Sequence, residues 1–357
     1  MRYVKTEYLK EGMVLGLPFY GHGFEVLRNT GEPLDAQSMD DLTELGYAGA
    51  YIDDAASAGI EPYDIFPHEF KIKTVKATVN FFHEAERHAK KSDTKPAKDT
   101  REKQKDIIMP LVDALLECPR RIIDVIDLKS FDYYKYYHAV NVAVLSLLIG
   151  IEYGLGRVQL YELGTASLLH DVGNVFIPKS ILNKRGKLTQ EEFEIIKSHS
   201  QMGFEYLREH FDISIEACMG ALQHHERYNG TGYPNKLKKD EISVYGRIIA
   251  ITEVYDALTS QRPFRSQSSP SFSMRYMEEN AGILFDPDIF DIFHKVTALY
   301  PSGSCVELDD GTRCIVAENT PGAAARPKLR VLDNPSAVID LGLDEQEERH
   351  ITGIIDI

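Results

Sequence analysis

Leu169-His170-Asp171-Val172-Gly173 closes an apolar run that starts at Val158. The spacing predicts a buried helix that delivers an imidazole and a carboxylate into the interior and stops at a glycine. One His-Asp pair carries little information. Here histidines recur on neighbouring stretches: His138 before the pair, His199 and His224-His225 after it, with Glu253-Val254-Tyr255-Asp256 further on. Imidazole plus carboxylate is the ligand set of a hydrolytic metal centre. Helix bundles build such centres from side chains on facing helices. A carboxylate can bridge two ions while imidazoles hold each from outside. Two ions about 3.5–4 Å apart polarise a phosphoryl oxygen and generate a hydroxide nucleophile at neutral pH. His224 and His225 diverge on a helix, so they need not serve the same ion. A histidine standing alone on a helix is by default a core or surface residue, and His22, His68, His83, His88, His210, His294 and His350 are read so.

Outward from this stretch the pattern is helical over 121–300. Helices are expected over 136–153, 158–169, from Thr189 as N-cap through His199 and Gly203, then over 213–223, 245–258, 272–280 and 287–299. Residues 1–60 read as a small mixed β/α module. Its strand candidates are Val14-Leu15-Gly16-Leu17, Glu25-Val26-Leu27 and Ala50-Tyr51-Ile52, with a short helix over 37–45. Residues 61–120 form a helical linker region, with helices over 70–90 and 106–117 and a flexible connection over 91–101. Residues 301–357 read as a small β module, in which Asp310-Gly311 signals a hairpin. The fold class is mainly α: a helical bundle with an N-terminal α/β-type module and a C-terminal β module.

A net charge of -15 argues against a broad DNA or RNA footprint, so an anionic ligand would be drawn by metal ions and a few arginines. Cys118, Cys218, Cys305 and Cys314 lack CxxC spacing and read as thiols of a reducing compartment. The N-terminus has no apolar signal region, and the run over 139–151 is too short for a membrane span. A cytoplasmic protein without membrane association is expected.

A longer set of residues carries a family likeness. His170-Asp171, Ile177-Pro178, Ile181-Leu182, Gly186-Lys187-Leu188-Thr189, His199, Gly203, His224-His225-Glu226-Arg227, Gly230-Thr231-Gly232-Tyr233-Pro234, Val254-Tyr255-Asp256-Ala257-Leu258-Thr259-Ser260 and Arg262-Pro263 occur in order. Together with Tyr137-His138, this resembles the HD-GYP branch of the HD phosphohydrolases over about 125–300. The resemblance implies an HD-type bundle that hydrolyses cyclic di-GMP to pGpG or GMP with iron or manganese ions. It implies His138, His170, Asp171, His199, His224, His225 and Glu253 as metal ligands. It places Arg262 and Arg265 against substrate phosphate or guanine, where a guanidinium can bind bidentately. Gly232 and Tyr233 would shape the substrate loop. Signalling proteins and a second copy of the chain, through the helices of 70–117, are further partner expectations.

The sequence departs from the family pattern at named positions. Asn174 stands where the family has a lysine, in the catalytic segment of His170 and Asp171. An amide can hydrogen-bond but can neither carry charge nor deliver a proton. Glu253 replaces an aspartate ligand, and Asn229 another aspartate. Tyr134, four residues before His138, replaces a glutamate that some members use for a third ion, so two ions are expected. The alternative to an active phosphodiesterase is an impaired HD-GYP module that binds the dinucleotide or a protein partner.

Overall fold

The computed structural model describes residues 1–89, 98–124, 134–184, 186–260, 269–320, 322–343 and 349–356. Its centre is a bundle of α2 (His68–Ala89), α3 (Lys98–Glu117), α4 (Tyr134–Glu152), α5 (Arg157–Leu169), α7 (Gln190–His210), α8 (Ile215–Gln223), α9 (Val244–Thr259), α10 (Pro270–Glu279) and α11 (Pro287–Lys295). The short α6 (Lys179–Leu182) precedes α7. The fold is therefore mainly α. Side-chain caps start several of these helices. Thr189 accepts from the Glu192 amide at 3.2 Å while Glu192 accepts from the Thr189 amide at 2.7 Å. Ser214, Ser243 and Asp286 cap α8, α9 and α11 by accepting from first-turn amides, without the reciprocal bond. Each such cap stabilises its helix by about 1 kcal/mol.

α4 is the central helix. Val142, Ala143, Leu147, Leu148 and Ile149 are fully buried and pack in one cluster with Leu163, Leu168, Val172, Leu207, Ile248 and Phe293. A side chain of this size contributes roughly 1.5–3 kcal/mol when fully buried. The bundle thus clamps the helix that carries His138.

Two small β assemblies flank the bundle. At the N-terminus β1 (Arg2–Lys5) pairs antiparallel with β4 (Gly49–Ile52), and β2 (Phe19–Tyr20) pairs with β3 (Val26–Arg28). α1 (Ala36–Glu44) starts at the Asp35–Ser38 capping box. The strand expected over 14–17 is reduced to single bridges, Val14 to Pro33 and Leu15 to Ile52. Pro33 has no N–H to extend a ladder. At the C-terminus β5 (Cys305–Leu308), β6 (Arg313–Glu318), β7 (Lys328–Val331), β8 (Val338–Asp340) and β9 (Ile351–Ile354) form one antiparallel sheet in the order β8-β7-β6-β5-β9. The Asp310-Gly311 turn joins β5 to β6, with Gly311 at φ +81. β8 and β9 were not anticipated, because short, partly exposed strands leave no long apolar alternation. The connection expected over 91–101 is shortened: residues 90–97 lie outside the described ones, and Lys98–Arg101 belong to α3.

The buried Asp124 ties bundle to sheet. It accepts from the Ser302 amide and hydroxyl at 2.8 and 2.7 Å and from Asn319 Nδ2 at 2.6 Å. The N-terminal strand meets the same corner, where the Tyr3 amide donates to the Gly303 carbonyl at 2.9 Å.

Candidate metal centre

The ends and inner faces of α4, α5, α7 and α8 bring His138, His170, Asp171, His199, His224 and His225 into one nest. Two groups of ligand atoms form there, each with all atoms within 4.8 Å of one another: Asp171, His199, His224 and His225, and His138, His170 and Asp171. Asp171 belongs to both.

Each of four imidazoles is held through its Nδ1. His170 donates to the Ser167 carbonyl, His199 to the Ile196 carbonyl and His224 to the Ala221 carbonyl, all at 2.7 Å. A carbonyl can only accept, so in a neutral ring the proton sits on Nδ1 and Nε2 keeps its lone pair. His138 Nδ1 instead meets Asp256 Oδ2 on α9 at 2.7 Å. This arrangement fixes the ring and raises the basicity of the free nitrogen, as metal-binding histidines require.

The free nitrogens converge without a proton between them. His199 Nε2 lies 3.2 Å from His224 Nε2 and 3.3 Å from Asp171 Oδ1. His170 Nε2 is buried with no hydrogen-bond partner among the described residues and lies 3.7 Å from Asp171 Oδ2. Lone pairs and a carboxylate packed together repel unless a cation joins them. The residues present therefore fit divalent ions. Burial, with the neighbouring imidazoles, holds His224 well below its ordinary pKa. Burial also lowers His170, and burial with His199 and Arg227 lowers His225. For Asp171, burial pushes upward, but the imidazoles around it outweigh that and hold the carboxyl below the usual range. The carboxylate is enclosed by these groups yet 34 % of its side-chain surface remains open, so the nest has a mouth.

Two glycines make the geometry. A Cβ on Gly173 would stand 1.9 Å from the His199 carbonyl oxygen. Only glycine lets the turn after Asp171 come so close to α7. A Cβ on Gly232 would meet the Arg227 amide at 2.4 Å, so the loop folds back onto the turn that follows His225. Buried Glu226 holds this loop by accepting from the Asn235 and Leu237 amides at 2.7 and 3.1 Å. The Tyr233 ring stacks on His225 at 4.6 Å.

Glu253 lies outside both ligand groups, though near enough for its charge to act on His170 and Tyr233. Asn174 is half-buried in the turn after Asp171, and its side chain makes no hydrogen bond to the described residues. Asp256, to which the sequence reading assigns no role, orients His138 and also accepts from Asn141 Nδ2 at 2.8 Å. Its signal was its place one helical turn beyond Glu253. The carbonyl partners leave no sequence signal at all.

The HD-domain profile matches residues 120–289, which contain the whole nest. The chain is 35% identical to the cyclic di-GMP phosphodiesterase PA4108 of Pseudomonas aeruginosa over 68% of its own length and 60% of that protein's. Residues 120–289 are thus an HD domain, and their motifs are those of the HD-GYP branch. The chain is also 39% identical to a cyclic di-GMP phosphodiesterase of Thermotoga maritima, over 44% of each chain. It is 34% identical to the 3'3'-cGAMP-specific phosphodiesterase 3 of Vibrio cholerae, over 54% of this chain and 42% of that one. The chain spans 60% or less of the length of each of these relatives. Arg262 and Arg265 lie outside the described residues. Among the described residues no helix is long and apolar enough to cross a membrane.

Proposed function

We propose that this HD-GYP chain is a metal-dependent phosphodiesterase that hydrolyses cyclic di-GMP to pGpG, GMP or both. The observation that carries the reading is the convergence of five imidazoles on Asp171 in two groups that share its carboxylate. His199, His224 and His225 would hold one of two divalent ions, iron or manganese, and His138 and His170 the other, with Asp171 available to both sets. Glu253 would complete the second set. When bound, such ions supply Lewis acidity to a phosphoryl oxygen and acidify water. The chain's own part is to hold each Nε2 in place through its Nδ1 partner. The Gly232-Tyr233 loop forms one wall of the mouth. Arg262 and Arg265 bind the phosphates, and Asn174 donates a neutral hydrogen bond toward them.

A second reading, an attenuated enzyme or a dinucleotide receptor, is favoured by Asn174. Loss of one charged transition-state contact costs about 3 kcal/mol, roughly a hundredfold in rate. Purified protein incubated with cyclic di-GMP and Mn²⁺, or anaerobic Fe²⁺, should release pGpG or GMP, while Asp171→Ala should not. Cyclic di-GMP left intact at full metal occupancy would overturn the hydrolytic reading. Tight binding without turnover would then identify a receptor. Parallel assays with 3'3'-cGAMP decide the base preference. Asn174→Lys should raise turnover about a hundredfold if attenuation is the reason for a slow enzyme.

A further inference from the structure

α4 turns His138 toward the nest and Tyr137, Asn141 and Val144 toward a cavity of about 790 Å³, bounded also by α2, α9 and the C-terminal sheet. None of His170, Asp171, His199, His224 or His225 lines it. The volume is that of a site for a drug-sized molecule. Its walls define the chemistry of an occupant. Val75, Leu111 and Val144 supply buried apolar surface, and Tyr137 and Phe70 supply aromatic faces. Among the described residues the charges on the walls are matched except for Arg275, which is exposed at the rim and lies over the Phe272 ring. Lys5 pairs with Asp356 at 2.6 Å and Lys71 with Asp64 at 2.7 Å. Asp124 is satisfied by Ser302 and Asn319, and Asp256 by His138 and Asn141. Among the described residues a cationic guest would find no counter-charge to spare and an anionic one only the solvent-exposed Arg275, whereas a neutral guest would disturb none of these pairs. Ser304 Oγ, on the wall and 2% exposed, has no hydrogen-bond partner among the described residues. A buried hydroxyl left so is unfavourable, and an oxygen or nitrogen of a guest would relieve it.

One wall residue reaches both places. Asp256 presents Oδ2 to His138 and Oδ1 to Asn141, and both Asp256 and Asn141 line the cavity. A guest that contacts Asn141 therefore acts on the group that orients His138.

We propose that this cavity is a second ligand site for a neutral, partly aromatic small molecule bearing a hydrogen-bonding group, coupled to the histidine nest through Asn141, Asp256 and His138. The coupling rests on reading the nest as a metal centre; the site does not.

The full chain, stripped of metal by chelation, is titrated with Nile red, a neutral dye that brightens in apolar surroundings. Saturable binding at one site per chain is expected. Val144→Phe and Thr74→Phe each narrow the cavity from a different wall, and each should weaken binding at least about tenfold. Circular dichroism verifies folding, so that loss of one variant leaves the other. The chain has no tryptophan, so Phe272→Trp on the cavity wall adds a single donor whose emission the bound dye should quench. Repeating the titration with Mn²⁺ should shift the dye Kd by about fivefold or more, with an equal shift in Mn²⁺ affinity when dye is present. Asn141→Ala should remove that shift and leave the dye bound. Non-saturable binding, or folded narrowing variants that bind the dye unchanged, would overturn the site. Saturable binding blind to Mn²⁺ would overturn the coupling alone.

Discussion

The two halves of the nest solve the same problem by different means. His199 and His224 take their orientation from carbonyls three residues earlier in their own helices. His138 takes its orientation from Asp256, 118 residues along the chain. His170 follows the local rule but stands in the group with His138. A ring held by its own helix is placed once that helix forms. A ring held by another helix is placed only when α4 and α9 pack. The first half is rigid by local geometry, and the second is as secure as the bundle.

The strongest way to break this contrast is to remove what both halves share. Asp171→Ala should abolish binding of both ions, read as metal per chain by elemental analysis. Retention of one ion would show the halves to be independent.

Acid provides the next largest effect. His170, His224 and His225 are depressed first by burial, so the unfolded chain binds protons that the folded one refuses. Their stabilising effect is whole above the unfolded value of about 6.5 and declines as pH falls through it. Three such groups give a slope of up to about 4 kcal/mol per pH unit. The melting temperature of metal-free protein should therefore fall steeply between about pH 6.5 and 5.5. A flat profile would mean that the histidine nest opens without unfolding.

Gly173→Ala should strain the first half selectively. Its new methyl group would lie against the His199 carbonyl, which must retreat from Asp171. We expect a loss of about 3 kcal/mol in denaturant unfolding, the upper part of the usual overpacking range. It should be accompanied by weaker binding of one ion. Unaltered stability would show that α7 yields freely.

Asp256→Asn sharpens the contrast at least cost to the fold. It keeps the shape and removes the charge that holds His138. Affinity for one ion should fall about 10–100-fold, as for other outer-shell partners, while the second is retained. Calorimetric titration with Mn²⁺ would resolve the two. An equal loss at both sites would erase the distinction between locally and distantly anchored rings.

Much of this was legible in the chain itself. The apolar run into His170-Asp171 has the helical period, and Thr189 with Glu192 announces the start of α7. Asp310-Gly311 announces the hairpin that joins β5 to β6. The histidines could be singled out because they sit at the ends or on the inner faces of such helices. The extended chain at Val14–Leu17 could not be read correctly, because its failure as a strand depends on meeting Pro33. β8 and β9 were illegible because their pairing, not their composition, makes them strands.

The sequence by itself determined the kinds of donor and the helices that carry them, since residue identity and apolar period are local properties. Only the tertiary structure decided that Asp171 faces both ligand groups, that Asp256 rather than a carbonyl orients His138, and that a cavity opens beside that carboxylate. Those facts depend on how closely α4, α7 and α9 approach one another. That approach is set by packing between residues far apart in the chain, and a period read along one helix carries no record of it.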